Sequence, residues 1–322
     1  MPPRLGAHMS IAGGLDRAVE RAVRCGCEAL QVFTKSSNQW AARSLPADEV
    51  SRFREQVEAA ALQPVLAHDS YLINVGSSDG ALWKKSVGAL LVEFDRCQQL
   101  GIPYLVMHPG SHVGAGESIG LDNIARGIDD VHRSRPAGSV MILLENTAGQ
   151  GSNLGYRFEQ LRAILDRIDA PDRVGVCLDT AHLYAAGYDI GTRDGWERAW
   201  EDFDAIVGAE RLKAWHVNDS KTTLGSRVDR HAHIGFGAIP WAAFMRLMNE
   251  KRFDGLPASL ETPKTETGFE DEQNLAVLRR LVGRRRAPSA AEATRWREAA
   301  RSRAASDPRR AAPHRPSDRS AR

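Results

Sequence analysis

Residues 174–183 read VGVCLDTAHL, a short apolar run that ends on Asp179 and is followed three positions later by His182. Such a run, bounded by turn-forming residues, reads as a strand of a buried parallel sheet. The same pattern recurs along the chain. Apolar runs end as LAHDS (66–70), VMHPG (106–110), LLENT (143–147), AWHVND (214–219) and SLETP (259–263), and DRH (229–231) falls in a loop after AWHVND. Together these segments place His68, His108, Glu145, Asp179, His182, His216, Asp229, His231 and Glu261 at or just past strand ends. In a closed parallel barrel all strand ends of one sense open on a single rim, where the connecting loops build the active site.

Working outward from 174–183, eight strand candidates cover residues 5–9, 29–34, 64–68, 104–108, 140–145, 174–179, 212–217 and 258–261. Helical periodicity marks 15–23, 47–61, 81–99, 159–168, 194–207, 240–249 and 271–281 between them. Alternating strands and helices imply an α/β fold with a parallel sheet, and the count of eight favours closure into a single (β/α)8 TIM barrel. A doubly wound open sheet is the alternative, but it gathers ligands at a switch point rather than at most strand ends. Such a barrel needs about 250 residues as one domain, which sets residues 1–282 as the catalytic barrel and 283–322 as a tail.

Composition bounds the rest. Cys25, Cys27, Cys97 and Cys177 show no C-x-x-C spacing and read as small buried hydrophobes in a reducing compartment. No secretory leader precedes the first strand and no run is long enough to span a bilayer, so a cytoplasmic protein is expected. From Gly283 onward the chain carries twelve Arg against Glu292, Glu298, Asp307 and Asp318, a net +8. With +2 for the whole chain, the body is −6. The tail is expected to be disordered, with 292–303 able to form a transient helix, and reads either as a solvated appendage or as a polycation that holds the protein near a polyanion.

A lone histidine at a strand end is more often a hydrogen-bonded core residue than a ligand. Nine imidazoles and carboxylates on one rim are a different matter, because burying them is costly unless they are paired or metal-bound. Asp179 and His182 are close enough to face one cavity, and Asp229 and His231 point to one side if their segment is extended. Nitrogen and oxygen ligands without thiolate suit catalytic zinc and also accept manganese or iron. His8 and His112 read as supporting or phosphate-contacting residues, and His132, His233 and His314 as unrelated to the cluster.

The segments GAHMSIAGGL (6–15), VFTKSSNQW (32–40), HDSYLINVGS (68–77), HPGSH (108–112), LENTAGQGSNLG (144–155), GVCLDTAHLYAAGYDI (175–190), HVNDSK (216–221), GSRVDRH (225–231) and LETP (260–263) resemble endonuclease IV, a family of zinc-dependent apurinic/apyrimidinic endonucleases. The resemblance spans Gly6 to Pro263 and leaves the Arg-rich tail outside. It implies three Zn2+ per chain. One would be held by His68, His108 and Glu145, a second by Glu145, Asp179, His216 and Glu261, and a third by His182, Asp229 and His231. Glu145 would be the bridging, catalytic carboxylate.

The resemblance further implies a monomer acting on duplex DNA that contains abasic or 3′-blocked lesions. Cleavage 5′ of the abasic sugar would leave a 3′-hydroxyl and a 5′-deoxyribose phosphate. Tyr71, Leu72 and the 36–40 segment with Asn38 would probe the duplex, and Lys35, Lys221 and Arg230 would contact phosphates. Asn38 stands where relatives can carry a longer basic side chain, which weakens insertion from that loop. A sugar isomerase or epimerase shares the barrel but does not predict the His182, Asp229 and His231 set. A non-catalytic DNA-binding protein would be expected to have lost ligands, and all nine are present.

Overall fold

A computed structural model describes residues 1–265 and 269–305. Its centre is a closed barrel of eight parallel strands: β1 Arg4–Met9, β2 Ala29–Phe33, β3 Val65–His68, β4 Tyr104–Met107, β5 Met141–Glu145, β6 Val174–Asp179, β7 Leu212–His216 and β10 Pro257–Leu260. Each pairs with its neighbour in chain order, and β1 closes the ring against β10. Two short strands, β8 Asp219–Ser220 and β9 His231–Ala232, form an antiparallel hairpin above the barrel between β7 and β10. The helices are α1 Leu15–Cys25, α2 Ala47–Ala59, α3 Gly80–Leu100, α4 Glu117–Ser134, α5 Phe158–Leu165, α6 Thr180–Ala186, α7 Arg193–Ile206, α8 Trp241–Asn249, α9 Phe269–Leu281 and α10 Ala290–Ala305.

The strands follow the period-2 logic of a pleated backbone. Leu66, Val106, Leu143, Cys177 and Ala214 form a small buried cluster of their own inside the barrel. Each lies two residues before a candidate ligand: His68, His108, Glu145, Asp179 and His216. Side chains two apart on a strand share a face, so the apolar layer that fills the barrel is the floor under the ligand layer. The other faces of the strands meet the helices, where Phe53, Phe94, Phe203, Phe244 and Phe253 are fully buried. The expected (β/α)8 barrel is therefore the fold of the chain, with all eight strands within a residue or two of their sequence positions.

Three elements differ from the sequence reading. Helix α4 is not among the stretches that periodicity singles out, because Gly120 and Gly127 weaken its helical signal. Gly120 is needed there, since a Cβ would meet Leu154 Cδ1 at 2.5 Å and His112 Cβ at 2.8 Å. Helix α6 begins directly on Asp179, with no intervening loop to announce it. In the tail, 290–305 form a helix packed along α9 where the sequence offers a transient one, and 306–322, including His314, lie outside the described residues. Among the described residues no helix is long and apolar enough to cross a membrane.

Candidate metal centre

Glu145 sits at the centre of the rim with no exposed surface. Four histidines face its two oxygens. His68 Nε2 and His108 Nε2 lie 3.1 and 3.3 Å from Oε2, while His216 Nδ1 and His182 Nδ1 lie 2.9 and 3.1 Å from Oε1. His216 Nδ1 also lies 3.2 Å from Glu261 Oε2. On the outer side, Asp229 bridges His182 Nε2 at 3.2 Å and His231 Nε2 at 3.3 Å. All nine sequence-predicted ligands thus come together. His68, Glu145, Asp179, His182 and His216 are buried, Glu261 and His231 are nearly so, and His108 and Asp229 keep about a third of their side-chain surface open to solvent, at 32% and 39%.

The imidazoles are oriented by what their other nitrogens do. His68 Nδ1–H donates to the Asp69 carbonyl at 2.9 Å and His182 Nδ1–H to the Asn146 carbonyl at 2.9 Å, so each turns Nε2 into the cluster. His231 Nδ1 is similarly engaged by the Glu261 carbonyl at 3.3 Å. His216 is reversed: Nε2–H donates to Gln31 Oε1 at 2.8 Å and Nδ1 turns inward. Fixing one ring nitrogen on a carbonyl so that the other is free is the usual arrangement around a metal ion.

The carboxylates are fixed as firmly. Asp179 caps α6 through Oδ1, accepting from the His182 amide at 2.8 Å, and accepts from Asn218 Nδ2 on Oδ2 at 2.6 Å. Asn218 Oδ1 in turn accepts from the Glu261 amide, and Asn146 Oδ1 from the Asp179 amide. Gln31 Nε2 donates to Glu261 Oε1 at 2.6 Å.

Electrostatics show what charge the cluster favours. Burial alone would keep Glu145 neutral, but His216, His108 and His182 outweigh it and hold the carboxyl well below the carboxylate range. Burial opposes charge on His182 too, yet Asp179, Asp229 and Glu145 lift it well above the imidazole range. His68 and His216 are raised in the same way against burial, His68 by Asp69 and Glu145, His216 by Cys177, Glu145 and Glu261. For Asp229, burial is overcome by His182 and His231, which bring it down to about 2. Ionised acids among imidazoles that hold their protons mark a site that calls for positive charge at its centre. A divalent cation on the same nitrogens would replace those protons.

Three groups of side chains offer ligand atoms within 4.8 Å of one another: His68, His108 and Glu145; Glu145, Asp179, His216 and Glu261; and Asp179, His182 and His231. The first two are the sets expected from the sequence. The third adds Asp179 to His182 and His231, with Asp229 facing both histidines from outside. Although Asp229 lies near them, the buried Nε2 atoms of His182 and His231 have no hydrogen-bond partner of good geometry among the described residues. The donor set and these unsatisfied nitrogens fit a divalent cation.

The remaining candidates are placed as follows. Tyr71 stands 64% exposed beside the cluster, its ring edge-on to Phe33 at 5.3 Å, and Leu72 is half-buried. Asn38 is exposed on the loop after β2. Lys221 and Arg230 are exposed neighbours across the β8–β9 hairpin, joined by the Lys221 amide and Arg230 carbonyl at 2.8 Å. Lys35 corrects the expectation of a phosphate contact. It is buried, its ammonium lying 3.3 Å from Glu93 and donating to the Gln39 carbonyl at 2.8 Å. Glu93 also accepts from Thr34, and Arg96 donates to the Thr34 and Arg43 carbonyls. Lys35 therefore belongs to a buried network beneath the loop.

His8 supports the cluster as expected, with Nδ1 3.1 Å from Glu261 Oε1. His112 instead accepts the Gly116 amide within its own turn. Sequence reasoning missed Gln31, Asn146, Asn218 and Asp69. A buried amide in the apolar run ALQVF was the available signal for Gln31.

A parallel barrel carrying imidazoles and carboxylates on its C-terminal rim defines a broad class, and residues 19–281 match the family described as xylose isomerase-like TIM barrels. Within that class, the probable endonuclease 4 of Chloroflexus aggregans is 49% identical over 280 residues, covering 87% of this chain and 98% of the relative. The probable endonuclease 4 of Geotalea daltonii is 48% identical over 285 residues, covering 88% and 100%. The crystal structure of endonuclease IV from Thermus thermophilus superposes with a TM-score of 0.77 at 38% identity, covering 87% of this chain and 98% of that one. The chain belongs to the endonuclease IV family and is, with it, a nuclease.

Proposed function

We propose that the protein is a DNA-repair endonuclease that hydrolyses the phosphodiester 5′ of abasic sites in duplex DNA and trims blocked 3′ ends. The products would be a 3′-hydroxyl and a 5′-deoxyribose phosphate. The carrying observation is the three ligand groups that share Glu145 and Asp179 within a single cluster. Three zinc ions would be held there: one by His68, His108 and Glu145, one by Glu145, Asp179, His216 and Glu261, and one by His182, His231 and Asp229. Bound zinc acidifies water towards a pKa of roughly 7 and neutralises charge that builds on phosphate oxygens.

The chain's own residues prepare that chemistry. Glu145 stays ionised at the centre and presents one oxygen to each half of the cluster. Four carboxylates leave three divalent cations with a net surplus of positive charge, which suits an anionic phosphodiester on a chain whose body is acidic. His108 and Asp229 form the open side through which a backbone phosphate would arrive. Tyr71, exposed beside His68, and Leu72 would fill the gap where the abasic nucleotide leaves the stack. Asn38 and Arg230, exposed on neighbouring loops, would contact the duplex.

The test is elemental analysis of the purified protein together with incision of a duplex carrying one abasic site. About three zinc ions per chain and a single cut 5′ of the lesion are expected. One ion per chain with incision intact would defeat the trinuclear reading.

A further inference from the structure

Helix α10 lies beyond the stretch that matches the family, which ends at residue 281. It nevertheless reaches the metal-bearing rim. In a barrel of this kind the helices run against the strands. Helix α9 accordingly starts at the rim, where Asn274 Oδ1 accepts the Ile234 amide at 3.1 Å. It ends at the far side, where Asn249 of α8 binds the Leu281 carbonyl. Helix α10 then packs back along α9. Near its start Glu292 pairs with Arg284 at 3.2 Å, and Trp296 lies under Arg284 at 5.0 Å.

The next residue, Arg297, turns inward and is buried. Its guanidinium lies 4.2 Å from the Phe236 ring and 6.0 Å from that of Trp241, and donates to the Ile234 carbonyl. Burial lowers its affinity for the proton, with Asp219 opposing. Burying a cation is costly, and every one of these contacts reaches the 233–239 loop or the helix that follows it.

That loop continues directly from the strand that carries His231. Asp219 gathers its amides, accepting from Gly235, Gly237 and Ile239 at 2.8, 2.9 and 3.0 Å. Strand β9 is two residues long and pairs with β8 alone, so the place of His231 depends on what holds the chain on either side. Upstream, the Asp229 amide donates to Gln150 Oε1 at 3.1 Å. Downstream, the hold is shared by Asp219, Asn274 and Arg297.

We propose that Arg297 is a positioning residue for the outermost cation: by clamping the 233–239 loop, α10 holds His231 and Asp229 against His182 and slows loss of the ion they bind. This rests on the reading of the nine side chains as a cation cluster. The test follows zinc transfer from the loaded full-length protein to a chromogenic chelator, in the wild type, Arg297→Met, Arg297→Lys and a chain ending at Val282. The wild type should release one equivalent ahead of the others. Arg297→Met should speed that first phase about tenfold, the scale of losing an outer support of a metal ligand, and leave the later phases and Tm unchanged.

The shortened chain should behave like Arg297→Met. Arg297→Lys should fall between, since it keeps the charge but not the planar stack on Phe236. Amide exchange at Gly235 and Gly237 of the zinc-free protein should quicken in step. Unchanged release and unchanged exchange in Arg297→Met overturn the clamp while leaving the cluster reading intact. A wild type that takes up no zinc overturns the cluster reading itself, and the role assigned to Arg297 with it.

Discussion

Glu145 and Asp229 are both carboxylates that face two or more imidazoles at about 3 Å, but the chain holds them in different ways. Glu145 ends a barrel strand, rests on Leu143 and its apolar neighbours, and has no exposed surface. Asp229 lies in a connection between two-residue strands, with its side chain 39% exposed and its backbone tied to Gln150. The inner half of the cluster is thus set by the sheet, the most cooperative part of the fold. The outer half is set by a hairpin whose stability comes from a few hydrogen bonds. Local opening follows buried contact, so the outer half should exchange and lose its ion first.

The largest effect that would sharpen this contrast comes from the inner half. Glu145→Gln keeps the shape and removes the charge shared by both sets of histidines. Turnover on an abasic duplex should fall at least about a hundredfold with duplex binding retained. Glu159→Gln, an exposed change on α5, serves as the control, and an equal loss there would mean general destabilisation.

Asp229→Ala should be milder and stepwise. The retained zinc should fall by one equivalent and turnover by about tenfold, since a single outer ligand is lost from an otherwise intact cluster. Loss of all zinc on this change, seen by elemental analysis, would erase the distinction between the two halves.

A smaller effect is expected beside the cluster. Tyr71→Ala and Leu72→Ala should reduce discrimination between abasic and intact duplex by several-fold more than they reduce trimming of a blocked 3′ end, because a frayed end needs less unstacking. Equal losses on both substrates would make these residues packing residues only.

The smallest effect uses an imidazole outside the cluster. His132 on α4 is buried against Phe94, and both ring nitrogens lack partners among the described residues. Burial, with Arg173 nearby, brings its pKa down to about 4. Unfolded, it would take up a proton near 6.5. The stability that depends on neutral His132 is therefore complete above about 6.5 and is lost as pH falls towards 4. His132→Leu should lose about 0.7 kcal/mol less than the wild type between pH 7 and pH 6, read by denaturant titration at each pH. His68, His182 and His216 shift in the opposite direction, towards holding their protons, because neighbouring carboxylates outweigh their burial, whereas burial and Arg173 act together on His132.

The barrel was legible because each inner strand carries its own code. Leu66 and His68, or Leu143 and Glu145, place a floor residue and a ligand two apart on one face, and that spacing is visible in a single sequence. What was not legible depends on contacts between distant segments. Lys35 looks like a free cation until Glu93, 58 positions later, is folded against it. Gln31 and Asn218 have no local signature of their role, which is to accept and donate between ligands on other strands. Composition offers 292–303 only as a transient helix: the sequence is rich in Arg and Ala, and the place of α10 is set by Trp296 meeting Arg284 and Arg297 meeting Phe236.

The buried network under the loop after β2 has a consequence for how such a protein can diversify. One guanidinium, that of Arg96, grips the carbonyls of Thr34 and Arg43, so both ends of the intervening segment are stapled to the same point on α3. Exposed residues exchanged around Asn38 leave the staple and the buried Lys35–Glu93 pair in place, and lengthening a surface loop costs little in closure entropy. The exposed tip around Asn38 can therefore vary in length and chemistry while the barrel rim beside it keeps its geometry.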